Sequence, residues 1–162
     1  HYLFNLPIEK LGVTLHRESK VHSYVEYKNN LIRLEMGKPD MRIPIKYALY
    51  EGMTTFNTST CNSLQELKGL HFSKLDLKRY PIIKVAKFVI ENKGTYGAVF
   101  NAANEIAVEF YLKNKIKRFF IDLVIKNCLN KHINVPHPDY QTLKRVDQET
   151  RDLARKIINK ED

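Results

Sequence analysis

Ala98-Val99-Phe100-Asn101-Ala102-Ala103-Asn104-Glu105-Ile106-Ala107-Val108-Glu109-Phe110-Tyr111-Leu112-Lys113 decides the fold. Its apolar residues lie on almost every side of a helical wheel, so the helix must sit at the centre of a domain. The neighbouring stretches supply the helices to surround it. Pro81 stands at a favoured first helical position, and Ile82 to Asn92 is strongly apolar and stops before Gly94. Ile121, Val124, Ile125, Cys128 and Leu129 make a stripe. Asp139 suits the cap of a last helix carrying Leu143, Val146, Leu153, Ala154, Ile157 and Ile158 on one face. Four helices joined by short loops pack as a bundle.

Working outward to the N-terminal side, the period changes from helical to two. Val21 to Tyr27 and Leu31 to Met36 alternate apolar and polar residues, as half-buried strands do. Asn29-Asn30 between them suits a two-residue primed turn, because Asn tolerates positive φ. That turn sets Tyr27 opposite Ile32, Val25 opposite Leu34 and Glu26 opposite Arg33, with an ion pair between the last two. It also sets His22 opposite Gly37. Gly12 to Leu15 and Leu70 to Leu75 read as two further short strands, and Asp40 as the cap of a helix over 42–50. Residues 51–63 are small and polar and read as a linker or exposed loop. The expected fold class is therefore α+β: a small antiparallel hairpin or sheet remnant, then a C-terminal four-helix bundle. The expected domains are 1–63 and 64–162.

Composition narrows the function. The 162 residues carry a net charge of +9, but the basic residues are spread along the chain without an aromatic stacking pattern. A nucleic-acid partner is therefore not expected. No apolar run reaches the ~20 residues that span a bilayer, so no membrane partner is expected either. Cys61 and Cys128 are isolated from each other, which fits a reducing compartment. The start at His1 has neither an initiator Met nor a signal-peptide pattern, and the chain reads as a fragment.

There is no Gly-x-Gly-x-x-Gly, no phosphate-binding loop and no nucleophile motif. His1, His16, His22, His71, His132 and His137 form no pair at ligand spacing on an expected helix, so no metal site is expected within this chain. Two places could carry chemistry. His22 with the Gly37–Met41 loop combines a titratable imidazole with a Gly/Pro loop and a helix start. It reads either as the wall of a site or as a solvated histidine beside a helix cap. Asn101, Asn104 and Glu105 lie in an otherwise apolar helix and need hydrogen-bond partners. They read either as a contact to another domain or as a structural clamp on neighbouring loops.

These residues carry a resemblance. His22-Ser23, then Gly37-x-Pro39-Asp40-Met41-Arg42-x-Pro44-Ile45, then Arg79-Tyr80-Pro81, then Phe100-Asn101-Ala102-Ala103-Asn104-Glu105 come in the order and spacing of the 1-deoxy-D-xylulose 5-phosphate reductoisomerase family. The opening His1-Tyr2-Leu3-Phe4-Asn5 is similar to that family's helix after its catalytic segment. The resemblance covers essentially the whole chain. It implies a C-terminal part of an enzyme that rearranges and reduces 1-deoxy-D-xylulose 5-phosphate to 2-C-methyl-D-erythritol 4-phosphate, an isoprenoid precursor. NADPH would supply hydride, and Mg²⁺ or Mn²⁺ would hold the substrate's oxygens.

The resemblance further implies an N-terminal cofactor domain as partner, a homodimer, and a bacterial cytoplasmic or plastid-type location. His22 matches a histidine near the metal site, in a supporting catalytic role. Gly37, Pro39 and Met41 match a loop near substrate and nicotinamide. Asp40, Asn101, Asn104 and Glu105 are expected to be structural. The metal ligands, phosphate-binding residues and lid of that family lie upstream of His1, so the fragment alone is expected to bind neither cofactor nor metal and to be inactive. The chain departs from the family pattern at His16-Arg17-Glu18-Ser19, where Gln-Ser is usual, at Asn29-Asn30, where Asp-Gly is usual, and in the 51–63 loop. The alternative is a free-standing helical interaction module without catalysis.

Overall fold

The computed structural model describes residues 5–37, 40, 42–50 and 69–160. The expected boundary at 63–64 and the expected loop 51–63 lie outside them. By its internal contacts the chain forms two units. One is Val13–Leu75; the other runs from Asp76 onward and takes in the segment up to Gly12. The α+β class and the four-helix bundle are as expected.

The helical unit holds α2 (Ile82–Asn92), α3 (Tyr96–Leu112), α4 (Arg118–Lys131) and α5 (Tyr140–Ile158). Helix α3 is central, packing against α2, α4 and α5. Val99, Ala103, Ile106 and Ala107 of α3 are buried against Val124, Ile125 and Cys128 of α4 and Val146, Ala154 and Ile158 of α5. The alanines let the backbones approach, and each large aliphatic side chain contributes about 1.5–3 kcal/mol. Helix α3 stops after Leu112 because Asn114 turns left-handed at φ 56°, and Lys115 N–H then donates back to the Phe110 carbonyl at 3.0 Å. Asp139 caps α5, its carboxylate accepting from Thr142 N–H at 2.7 Å.

The α2–α3 corner is held by a polar knot. Gly94 sits at φ +61°, and a Cβ there would stand 2.5 Å from Asn134 Oδ1 and from the Val135 carbonyl. Thr95, fully buried, donates its hydroxyl to Asn134 Oδ1 and accepts from Val135 N–H. Its remaining partner is His132 Nε2 at 2.7 Å, which therefore donates. Burial holds the His132 imidazole below its usual value.

The strand unit holds β1 (Thr14–His16), β2 (Val21–Glu26), β3 (Ile32–Met36), α1 (Arg42–Leu49) and β4 (Phe72–Lys74). Strands β1 and β4 pair antiparallel, as do β2 and β3. The hairpin register differs from the expected one. Asn30 alone takes the left-handed conformation, at φ 63°, and Tyr27 N–H donates to the Leu31 carbonyl. The loop therefore has three residues rather than two. Val25 consequently faces Arg33, Tyr24 faces Leu34 and Glu26 faces Ile32. The expected ion pair is replaced by Arg33 lying over the Tyr27 ring at 5.7 Å. A bulge at His22 then shifts the register again, so that Val21 pairs with Met36.

Candidate functional site

The bulge places His22. As the extra residue in β2 it has no ladder partner, and its ring reaches the start of the loop after β3. An ideal Cβ on Gly37 would lie 3.7 Å from His22 Nε2. That is ordinary van der Waals distance, so His22 does not itself require a glycine there. The proximity expected from the sequence is present, although the two-residue-turn register that suggested it is not. Pro39 and Met41 lie outside the described residues.

Asp40 starts α1. Its Oδ1 accepts from Arg42 N–H at 3.0 Å, and both carboxylate oxygens are engaged by the Arg42 guanidinium at 2.6–3.0 Å. The bonds from Arg42 hold the Asp40 carboxyl down at about 2. With cap and guanidinium both served, Asp40 fixes the end of the loop rather than offering a free carboxylate.

Asn101 and Glu105 are on the exposed side of α3, not inside it, while Asn104 is half-buried. Asn101 Nδ2 donates to Glu105 Oε1 at 2.9 Å, and Glu105 Oε2 accepts from Arg151 of α5 at 2.5 Å. Arg151 is also bonded by Asp147. The group joins α3 to α5 rather than gripping loops.

One polar cluster was not singled out by sequence reasoning. Glu18, in the turn after β1, accepts from His71 Nδ1 at 2.7 Å with Oε1 and from His71 N–H at 3.1 Å with Oε2. His16 Nδ1 lies 3.0 Å from Glu18 Oε2 and donates to the His71 carbonyl, and its ring stacks on Phe72 at 4.7 Å. The bonds from His71 hold the Glu18 carboxyl down at about 2. Glu18 and His71 are 53 residues apart, a distance no local pattern bridges. The only hint was a carboxylate where the resembling family has an amide.

Among the described residues, no group of three or more His, Cys, Asp or Glu side chains is placed to hold a metal ion. Cys128 is buried, which pushes its thiol up to about 11 and leaves it unreactive.

Residues 36–153 match the DXP reductoisomerase C-terminal domain. The chain belongs to that family. Similar relatives include the 1-deoxy-D-xylulose 5-phosphate reductoisomerases of Lysinibacillus sphaericus and Halalkalibacterium halodurans, each 40% identical over 159 residues. Both matches cover 98% of this chain and 42% of the relative. The structure of the reductoisomerase from Zymomonas mobilis in complex with NADPH superimposes with a TM-score of 0.84 at 30% identity, over 97% of this chain and 42% of that one. A DOX-P reductoisomerase in complex with NADPH, fosmidomycin and magnesium gives 0.83 at 28% identity, over 98% of this chain and 41% of that one. The chain thus spans well under half the length of the relatives it matches. The DXP reductoisomerase C-terminal domain match takes in both the Gly37 loop and the α3 motif.

Proposed function

We propose that this chain is the C-terminal part of an NADPH- and divalent-metal-dependent reductoisomerase that converts 1-deoxy-D-xylulose 5-phosphate to 2-C-methyl-D-erythritol 4-phosphate. The observation that carries this reading is the coverage: nearly the whole chain aligns with less than half of each relative. Residues 1–63 then end the catalytic and dimerisation domain, and 64–162 form the helical-bundle domain. Partners are the protein's own N-terminal cofactor domain, a second subunit and the phosphorylated sugar, in a bacterial cytoplasm or a plastid-type organelle.

The described residues bring no three metal-ligating side chains together, and no Gly-rich strand–helix turn is present to hold a pyrophosphate. In this reading cofactor and metal are held by the part of the protein outside this chain. What the chain contributes is a wall. The His22 imidazole and the Gly37–Met41 loop shape the substrate side, and Asp40 caps α1 at the end of that loop. In this reading His22, Gly37, Pro39 and Met41 are the residues assigned to the substrate side, while Asp40 has a structural role in the strand unit and Asn101, Asn104 and Glu105 have one in the helical unit.

The test is isothermal titration of this chain with NADPH. No binding in the low-micromolar range is expected. Low-micromolar affinity would place a cofactor site inside the chain and contradict the assignment.

A further inference from the structure

Strand β2 is anchored at both ends, and the two anchors disagree by one residue. At its C-terminal end the three-residue loop sets the register, pairing Glu26 with Ile32 and Ser23 with Glu35. At its N-terminal end Val21 pairs with Met36 and Gly37 N–H donates to the Lys20 carbonyl at 3.0 Å, one residue out of step. His22 is the residue that absorbs the difference. Something must hold residues 20–21 against the register that the turn would otherwise propagate.

The turn before β2 is what the Glu18 cluster holds. Ser19 is left-handed at φ 51°, and both His16 and Glu18 are tied to His71, next to β4. The His16 side chain is only 6% exposed. We propose that Glu18 is a positioning residue for His22, clasping the β1–β2 turn to His71 so that the misfit with the hairpin turn falls on His22 and pushes its ring against Gly37. The consequence for a substrate-facing His22 rests on the functional reading above; the clasp itself does not.

The proton arrangement makes the clasp testable. The His71 carbonyl can only accept, so His16 carries its proton on Nδ1. A Glu18 carboxylate can only accept, so His71 also carries its proton on Nδ1. A glutamine at position 18 can serve the clasp in one orientation only. Its oxygen must take the Oε2 place, where His71 N–H donates. Its amide nitrogen then faces His71 Nδ1, which must give up its proton to Nε2. The reverse orientation would set the amide N–H groups against the His71 N–H.

The experiment is nitrogen-15 and NOE spectroscopy of the full 162-residue chain at about pH 8, above the ordinary imidazole range. In the parent chain His71 is expected as the Nδ1–H tautomer, with a His22 ring to Gly37 Hα NOE. Glu18→Gln is expected to keep that NOE while His71 switches to Nε2–H. Glu18→Ala is expected to lose it and to gain a cross-strand NOE between His22 and Met36, as the turn register runs through.

A Glu18→Ala chain that keeps His22 against Gly37 overturns the proposal. If that variant loses its strand unit, Glu18→Gln decides alone: the tautomer switch supports the clasp, and a retained Nδ1–H overturns it. None of these readouts uses turnover, so an inactive enzyme with an intact clasp would sink the functional reading and leave this one standing.

Discussion

Every buried apolar side chain among the described residues lies between Val89 and Ile158, while Val25, Ile32 and Leu34 of the hairpin are 43–60% exposed. The two units carry apolar residues in similar proportion and use them differently. The helical unit closes on itself around α3. The strand unit is held by polar devices: the Asn30 turn, the Glu18 clasp and the Asp40 cap. Apolar side chains left exposed on both faces of the hairpin, Val25 on one and Ile32 and Leu34 on the other, are what a part built to pack against further protein would show. The contrast predicts that the helical unit is cooperative by itself and that the strand unit gains order from the rest of the enzyme.

The largest expected effect is in the bundle centre. Ile106→Ala removes a fully buried side chain at the meeting of α3, α4 and α5, and should cost roughly 2–5 kcal/mol in denaturant unfolding of the helical unit. Next is Gly94→Ala. Its left-handed backbone and the 2.5 Å approach to Asn134 and Val135 should cost about 1–3 kcal/mol from the backbone alone. A loss confined to the helical unit's transition would sharpen the comparison; an equal loss in the strand unit would break it.

Acid should separate the units as well. His132 is an imidazole whose folded value is lowered by burial, so the folded unit binds fewer protons than the unfolded chain. The helical unit is expected to keep this contribution above about 6.5 and to lose it as pH falls below that. Glu18 is a carboxyl whose folded value is lowered, so its contribution is present above about 4.5 and disappears toward about 2. Unfolding followed against pH, with His132→Gln as control, should show the helical unit's slope near neutrality vanish in that variant. The smallest effect is expected from Leu34→Ala on the exposed hairpin face, within about 0.5 kcal/mol. A large loss there would mean that the strand unit has a core of its own.

Helices α2 to α5 were legible because their periodicity alone demands a bundle, and α3 could only be central. The hairpin's existence was legible, but its register was not. Asn29-Asn30 allows one or two left-handed residues equally well by composition, and that choice moves every cross-strand pair. His22 and Gly37 were brought together by the sequence argument for the wrong geometric reason: the longer turn and the bulge each move the register one residue the same way, and His22 reaches Gly37 as the unpaired bulge residue rather than as its cross-strand partner. Asn101 and Glu105 stood out as polar residues in an apolar helix, yet they lie on its outer edge, where Arg151 meets them. The Glu18 clasp was invisible because its members come from segments whose pairing, β1 with β4, no short-range pattern reveals.

The central claim is that this chain builds the wall and the support of a site whose cofactor and metal are held elsewhere in the protein. Its most direct test joins this chain to the portion of the Lysinibacillus sphaericus relative that it does not span. NADPH oxidation is then measured with 1-deoxy-D-xylulose 5-phosphate and Mg²⁺. The joined protein is expected to turn over and this chain alone is not. Turnover by this chain alone, or a folded joined protein that binds NADPH but does not react, would contradict the claim.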